Sequence, residues 1–229
     1  VFQVAADAGV KKIVFTSTAG VLGASEDSLL NENSFPASQF SAYEDSKSIL
    51  EEKVRTGSFG NTEIVIVNPS RVYGPGLLSE SNSVTTLINK FMLGKWRVIP
   101  GNGESIANYV FIDDVVEGHI LAMEKGRNKE RYILGGENLS YNKLFETLEI
   151  LRDKKTRMIK IPLFIMLILA KIFMFLAIFG MRPMITPALV RKYNLNFRLD
   201  IMKAENELAY KAIGFKEGAG LTMAWAKSK

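Results

Sequence analysis

The sequence predicts an α/β fold with a largely parallel sheet. Three observations lead there. Short apolar, β-branched runs alternate with helical patterns through residue 152. One run, "EIVIVNPS" (63–70), is apolar almost without a break, as suits a central parallel strand covered on both faces. Glycine or proline closes several of the segments, as at Gly9, Gly57, Pro69 and Gly94.

In order along the chain, residues 1–9 read as a helix and 12–16 ("KIVFT") as a short buried strand. Residues 19–40, rich in Gly, Ser and Asn, read as a loop. A helix over about 42–56 precedes the strand at 63–70, and another covers 84–94. "WRVIP" and "ANYVFI" read as short strands around the turn-rich "GNGES". A helix over 113–126, a strand over 131–136 and a helix over 140–152 follow, the last capped by Ser140. The remainder, 184–229, reads as two or three short helices with a loop at "GFKEGAG", a small C-terminal cap. There is no internal repeat and no low-complexity stretch.

The segment "IPLFIMLILAKIFMFLAIFG" (161–180) stands apart. Seventeen of its 20 residues are apolar, and that length just matches a hydrocarbon core of about 30 Å. Lys171 sits in its middle, at a cost of roughly 2.5–3.5 kcal/mol on insertion scales. Buried, interfacial and membrane-spanning helices all fit the pattern. The interfacial reading draws on Arg152, Lys154, Lys155, Arg157 and Lys160 just upstream, with Asp153 the one acid among them. From a helix lying flat, Lys171 reaches the headgroups on its own stem.

Composition narrows the chemistry. The 229 residues carry a net charge of +5. No zinc spacing or aromatic-interleaved basic groove points to nucleic acid. There is no cysteine, which excludes disulfides, thiolate metal sites and cysteine nucleophiles. His119 is the only histidine, and no G-x-S-x-G turn exists to pair with it as a hydrolase. It lies mid-helix among apolar residues and reads as a packed or interface residue. No signal peptide is visible, and the opening "VFQVAADAGVKK" starts directly on a helical pattern, as a fragment of a longer chain would.

One constellation reads as catalysis. Tyr43 and Lys47 lie four apart in "SAYEDSKSILEEK", on one face of a helix. A tyrosine hydroxyl titrates near pH 10 when unperturbed, and a neighbouring ammonium favours its phenolate. Such a pair serves as general acid/base in carbonyl–alcohol interconversion. Tyr and Lys four apart are common on helices, so position must decide. The strand "KIVFTSTAG" ends in Thr16, Ser17 and Thr18, and the next strand stops at Pro69. Both ends fall where open α/β sheets bind ligands. A hydroxyl there can steady charge on a substrate oxygen.

The ordered motifs "TSTAGVLG", "YEDSK", "NPSRVYGPG", "NYVFIDDVVEGHILAMEKG" and "RYILGGENLSYNKLF" resemble the extended short-chain dehydrogenase/reductase superfamily. Within it they are most similar to the NAD-dependent epimerase/dehydratase group, on its dihydroflavonol-reductase-like and 3β-hydroxysteroid-dehydrogenase-like side. The match covers roughly residues 1–160. The resemblance implies the C-terminal part of a Rossmann-type doubly wound parallel sheet plus a small, mostly helical substrate-binding cap. Residues 1–75 and 107–135 would belong to the dinucleotide-binding domain, and 76–106 and 136–229 to the cap. Tyr43 would be the acid/base and Lys47 its lysine, which also holds the nicotinamide ribose. Thr18 would be the catalytic hydroxyl, with Ser17 the alternative. Asn68, Pro69, Ser70 and Val72 would border the nicotinamide of NAD or NADP. The implied protein is an oxidoreductase of a small sugar-like or lipid-like hydroxyl or carbonyl compound, or an epimerase or dehydratase. It would be a cytoplasmic homodimer, with peripheral membrane contact through 161–180 the further option. A non-catalytic, membrane-docked binding protein is the rival from another class.

Two departures matter. The glycine-rich dinucleotide turn of the family is absent from this chain, so the chain alone is expected to bind dinucleotide poorly. Ala107 stands where sugar-nucleotide enzymes of the group carry a diphosphate-holding arginine, although Arg71 or Arg97 could serve instead. Asp113 and Asp114 open a helix, where carboxylates cap free N–H groups and suit the dipole.

Overall fold

The computed structural model describes residues 1–25, 29–35, 41–76, 82–180, 185–193 and 195–228. Parts of the predicted 19–40 loop, residues 26–28 and 36–40, lie outside the described residues. The chain opens with α1 (Phe2–Asp7), β1 (Lys12–Thr16), a 3-10 turn (Ala19–Leu22), α2 (Ala42–Thr56), β2 (Glu63–Pro69) and β3 (Arg71–Tyr73). Next come α3 (Ser83–Met92), β4 (Val98–Pro100), β5 (Ile106–Phe111), α4 (Ile112–Lys125), β6 (Arg131–Leu134) and β7 (Glu137–Ser140). The remainder holds α5 (Tyr141–Arg152), β8 (Ile159–Ile161), α6 (Leu163–Ala177), α7 (Pro187–Lys192), α8 (Met202–Leu208) and α9 (Phe215–Lys227).

β2 is the axis of the main sheet. It pairs in parallel with β1 on one side and β6 on the other. Residues 64–69 are all buried, which explains the unbroken apolar run, because helices cover both faces. Val65, Val67 and Tyr132 pack under α4 and α8, whereas Ile64 and Ile66 pack with Val54 of α2. A second sheet follows the order β3-β5-β7, parallel then antiparallel. It packs under α3, α5 and α9 through Tyr73, Tyr109, Phe111, Phe91, Phe145 and Phe215. β4 and β8 form a small parallel pair.

The α/β expectation therefore holds, with differences. β3, β7 and β8 are three or four residues each, too short to show a period. The predicted loop at "GFKEGAG" is instead the start of α9, which runs to Lys227. Phe215, Ala219 and Met223 bury one face of it at i, i+4 and i+8. Its glycines misled the sequence reading, and one of them has a packing role. A Cβ at Gly218 would stand 2.5 Å from the Tyr73 hydroxyl and 3.0 Å from Phe111. Asp114 is also more than a helix opener, because its carboxylate accepts the Ile213 N–H at 3.0 Å. The N-cap of α4 is Phe111, with no side-chain cap. Asp114 thus ties α4 to the approach of α9, and Ser140 caps α5 as predicted.

The two helical glycines of α9 separate propensity from packing. Ala in place of Gly gains about 1 kcal/mol in a helix interior, whereas overpacking a filled core costs about 1–3 kcal/mol. Tyr73 is 1% exposed and cannot retreat. Gly218→Ala should therefore lower the unfolding free energy. Gly220→Ala meets only Leu151, at 3.8 Å, and should raise it by up to about 1 kcal/mol. Urea unfolding of both variants checks the pair of signs.

Candidate active site

α2 carries the site. Its N-terminus is capped by Ser41. Ser41 Oγ accepts the Glu44 N–H at 3.5 Å, and its hydroxyl donates to the Glu44 carboxylate at 3.0 Å. The buried Glu44 carboxylate also receives Lys192 Nζ of α7 at 2.6 Å. Three further residues, Tyr43, Lys47 and Glu51, recur at i, i+4 and i+8 and share the face turned to the strand ends.

Each rung meets a different neighbour. Lys47 Nζ donates to the Thr16 carbonyl at 2.8 Å, at the carboxyl end of β1. The same ammonium stands 5.2 Å from the centre of the Phe15 ring and 5.9 Å from that of Tyr43. Tyr43 is 58% exposed, and its hydroxyl makes no hydrogen bond to another described residue. Glu51 is buried. It accepts Asn68 Nδ2 at 2.7 Å, and Arg131 of β6 lies 3.3 Å from its other oxygen. Asn68 Nδ2 donates in addition to the Thr18 carbonyl at 3.1 Å. Burial pushes the Arg131 guanidinium below its usual value, and Glu51 opposes that shift.

The predicted hydroxyls divide. Thr18 Oγ1 accepts the Gly20 N–H at 3.2 Å and so caps the 3-10 turn. Ser17 is 4% exposed, and its backbone N–H donates to Val67 at 2.8 Å. Its hydroxyl has no partner. Pro69 closes β2 opposite Leu134, and the Ser70 N–H donates to the Leu134 carbonyl at 3.1 Å. Val72 does not join them. It pairs with Val110 in β3 and packs against the core beneath.

Four buried side-chain polar atoms lack a hydrogen-bond partner among the described residues: Ser17 Oγ, Asn68 Oδ1, Ser70 Oγ and the Tyr109 hydroxyl. Such atoms are rare and call for an explanation. Here three of the four belong to the strand ends that Lys47 and Glu51 brace. Tyr109 pairs with Arg71, the residue after Ser70. Arg71 donates to the Tyr141 hydroxyl at 3.0 Å and lies over the rings of Tyr109 and Phe197. Burial pushes Tyr193, which packs edge-on against Tyr141, up to about 12. It drives Tyr109 up as well, against the opposing effect of Arg71. Tyr109 and Tyr193 are therefore neutral phenols at physiological pH, and no carboxylate pairs with Arg71 among the described residues.

His119 joins the site from α4. Its Nδ1 lies 2.7 Å from the Val115 carbonyl, which can only accept, so Nδ1 carries a proton. In the neutral ring Nε2 then accepts the Thr16 hydroxyl at 2.9 Å. No sequence signal joins residues 103 apart. Glu51 could have been found by extending the Tyr43–Lys47 spacing one turn further. Among the described residues no cluster of three His, Asp or Glu could hold a metal ion. Lys47, Asn68, Pro69 and Ser70 are the groups that could hold a nicotinamide cofactor. The unpartnered Ser70 and Asn68 oxygens fit such a ligand.

Residues 1–135 match the family model described as the NAD dependent epimerase/dehydratase family. The chain belongs to that family. The epimerase/dehydratase match spans α1 to just beyond β6 and so includes every residue of α2, the strand ends and His119. Sterol demethylase protein B of Methylococcus capsulatus is 31% identical over 164 residues, covering 70% of this chain and 48% of that protein. A putative dihydroflavonol 4-reductase of Synechocystis is 26% identical over 226 residues, covering 95% of this chain and 65% of its own length. The chain therefore spans about half to two thirds of these two relatives. The crystal structure of gox2253 superposes with a TM-score of 0.78 at 28% identity, over 99% of this chain and 69% of the other.

The Arg131–Glu51 pair generates a test of its own. Removing one partner of a buried ion pair leaves the other charge uncompensated, at a cost of about 3–5 kcal/mol. Glu51→Gln should destabilise the protein by that order in denaturant unfolding. Adding Arg131→Met should recover part of the loss. An unchanged Glu51→Gln midpoint would show that the pair does not hold α2 in place.

Proposed function

We propose that this chain carries the proton-transfer half of an NAD(P)-dependent oxidoreductase site acting on a hydroxyl or carbonyl of a small organic molecule. The observation that carries the reading is the set of unpartnered buried side-chain oxygens of Ser17, Asn68 and Ser70 at the ends of β1 and β2, together with the bond from Lys47 of α2 to the Thr16 carbonyl at the end of β1. A substrate oxygen at this edge would receive a hydrogen bond from the Ser17 or Thr18 hydroxyl. Tyr43 would give or take the proton at that oxygen, since it is exposed and uncommitted. Lys47 would keep positive charge beside the Tyr43 ring while its bond to Thr16 fixes its position. Lys47, Asn68, Pro69 and Ser70 would hold the nicotinamide side of the cofactor. NAD, when bound, supplies the hydride acceptor or donor for the substrate carbon.

Ala107, at the place of the diphosphate-holding arginine, is 1% exposed within β5. It favours a substrate without a nucleotide diphosphate. The sterol enzyme among the relatives supports a lipid-like one. A homodimer belongs to the same reading, supported by Val4 of α1 and Ile49 of α2, which are 70% and 57% exposed.

Tyr43→Phe tests the reading. In a longer chain that carries the family's glycine-rich turn, with NAD and a panel of hydroxysteroids and simple ketones, turnover should fall about 10²–10⁴-fold while the unfolding midpoint stays put. Unaltered turnover would make Tyr43 a bystander. Stoichiometric cofactor consumption would mark a net dehydrogenase or reductase, and product without net consumption an epimerase or dehydratase.

A further inference from the structure

α6 presents an unusual surface. Its inner face, with Met166 and Ala170 buried, packs with Val190 and Leu163 in a small cluster beside α7. The positions on its outer face and in the turn just past its end are exposed and still apolar. Phe164 is 64% exposed, Phe175 61%, Ile178 76% and Phe179 72%. Ile168 and Ile172, at 55% and 50%, continue the same strip. A surface helix of a water-soluble body normally carries polar residues there, and contiguous exposed apolar patches mark interaction sites.

Charge says what covers the patch. Residues 154–199 contain nine Lys and Arg and not one Asp or Glu, so the rest of the chain carries a net −4. Lys154, Lys155, Arg157, Lys160 and Lys171 are all exposed. None of these five forms an ion pair with a described residue. A second copy of this chain would bring the same positive charge against it. An anionic lipid headgroup layer supplies both the opposite charge and the apolar medium. The fifteen residues of α6 span about 22 Å at 1.5 Å each, short of the roughly 30 Å hydrocarbon core. Among the described residues no helix is long and apolar enough to cross a membrane.

We propose that α6 lies in the interface of an anionic bilayer, its outer face among the acyl chains and the 154–160 cations on the headgroups. Lys171 shares the outer face and reaches the headgroups by its four-carbon stem. The docking fixes an orientation. A cleft of about 540 Å³ opens at the root of α6, lined by Lys160, Pro162, Leu163 and Phe164 on one side and by Ser105 and Tyr193 on the other. It therefore faces the lipid. Tyr193 packs against Tyr141, which bonds Arg71 beside the orphan Ser70 and Tyr109 hydroxyls. An amphipathic alcohol or ketone drawn from the bilayer would enter by this cleft. That last step rests on the proposed oxidoreductase reading; the docking does not.

Flotation of the full chain with phosphatidylcholine vesicles, with and without phosphatidylglycerol, tests the docking without any assay of turnover. The chain should float with the anionic vesicles, at least about tenfold more tightly than with neutral ones, given about 1 kcal/mol per basic residue near the surface. High salt should weaken that preference. Phe175→Asp with Ile178→Asp, both at exposed positions, should abolish flotation without altering the unfolding midpoint. Lys154→Glu with Lys155→Glu should abolish the anionic preference. A chain that stays in the soluble fraction with both vesicles, or that floats equally with both, overturns the proposal. So does light scattering that shows a dimer dissolved by Phe175→Asp together with no flotation, since the patch would then join two copies.

Discussion

The buried carboxylate of Glu51 holds the site together. It receives Asn68 on one oxygen and Arg131 on the other, and so joins α2 to β2 and to β6. Asn68 passes the connection on to the Thr18 carbonyl beyond β1. Because Glu51 and Lys47 stand on the same helical face as Tyr43, one buried ion pair sets the rotation and height of α2 over three strands. Slippage of the helix by one residue would turn Tyr43 about 100° away from the strand ends. Apolar residues of equal volume could match such a pair for stability. We attribute its presence to the register it imposes on α2.

That constraint explains the polarity of the surrounding atoms. Backbone groups at the strand ends are satisfied: Ser17 donates to Val67, and Ser70 to Leu134. The side-chain oxygens of the same residues are not. The proposed reading assigns these oxygens to substrate and cofactor. Lys47 completes the pattern, since its bond to a carbonyl holds an ammonium at the edge without neutralising it. The Glu44–Lys192 pair adds α7 to the same assembly and brings Tyr193, the next residue, against the Arg71 ring cluster.

Much of this was legible in the sequence, for particular reasons. α2 runs over Ala42–Thr56 because a serine cap and a closing glycine bracket a clear helical pattern. β2 was visible because only a strand covered on both faces tolerates so many apolar residues in a row. The Tyr43–Lys47 pair was visible because its spacing is local. The ion pair of Glu51 with Arg131 and the contact of His119 with Thr16 are tertiary, and spacing carries no trace of them. α9 was misread because Gly218 looks like a breaker until Tyr73 is seen against it. The 161–180 segment stayed open among three readings for a related reason. Its residues are apolar all round, so only the fold shows which face is covered.

The most direct measurement of the central claim joins stability to turnover at Ser17. A buried hydroxyl without a partner costs about 1–3 kcal/mol, and the account holds that it waits there for a substrate oxygen or cofactor. Ser17→Ala should therefore raise the unfolding free energy of the free protein by about 1 kcal/mol or more, while lowering NAD-dependent turnover in a longer chain that carries the glycine-rich turn. A variant that is less stable than the wild type and equally active would contradict the account.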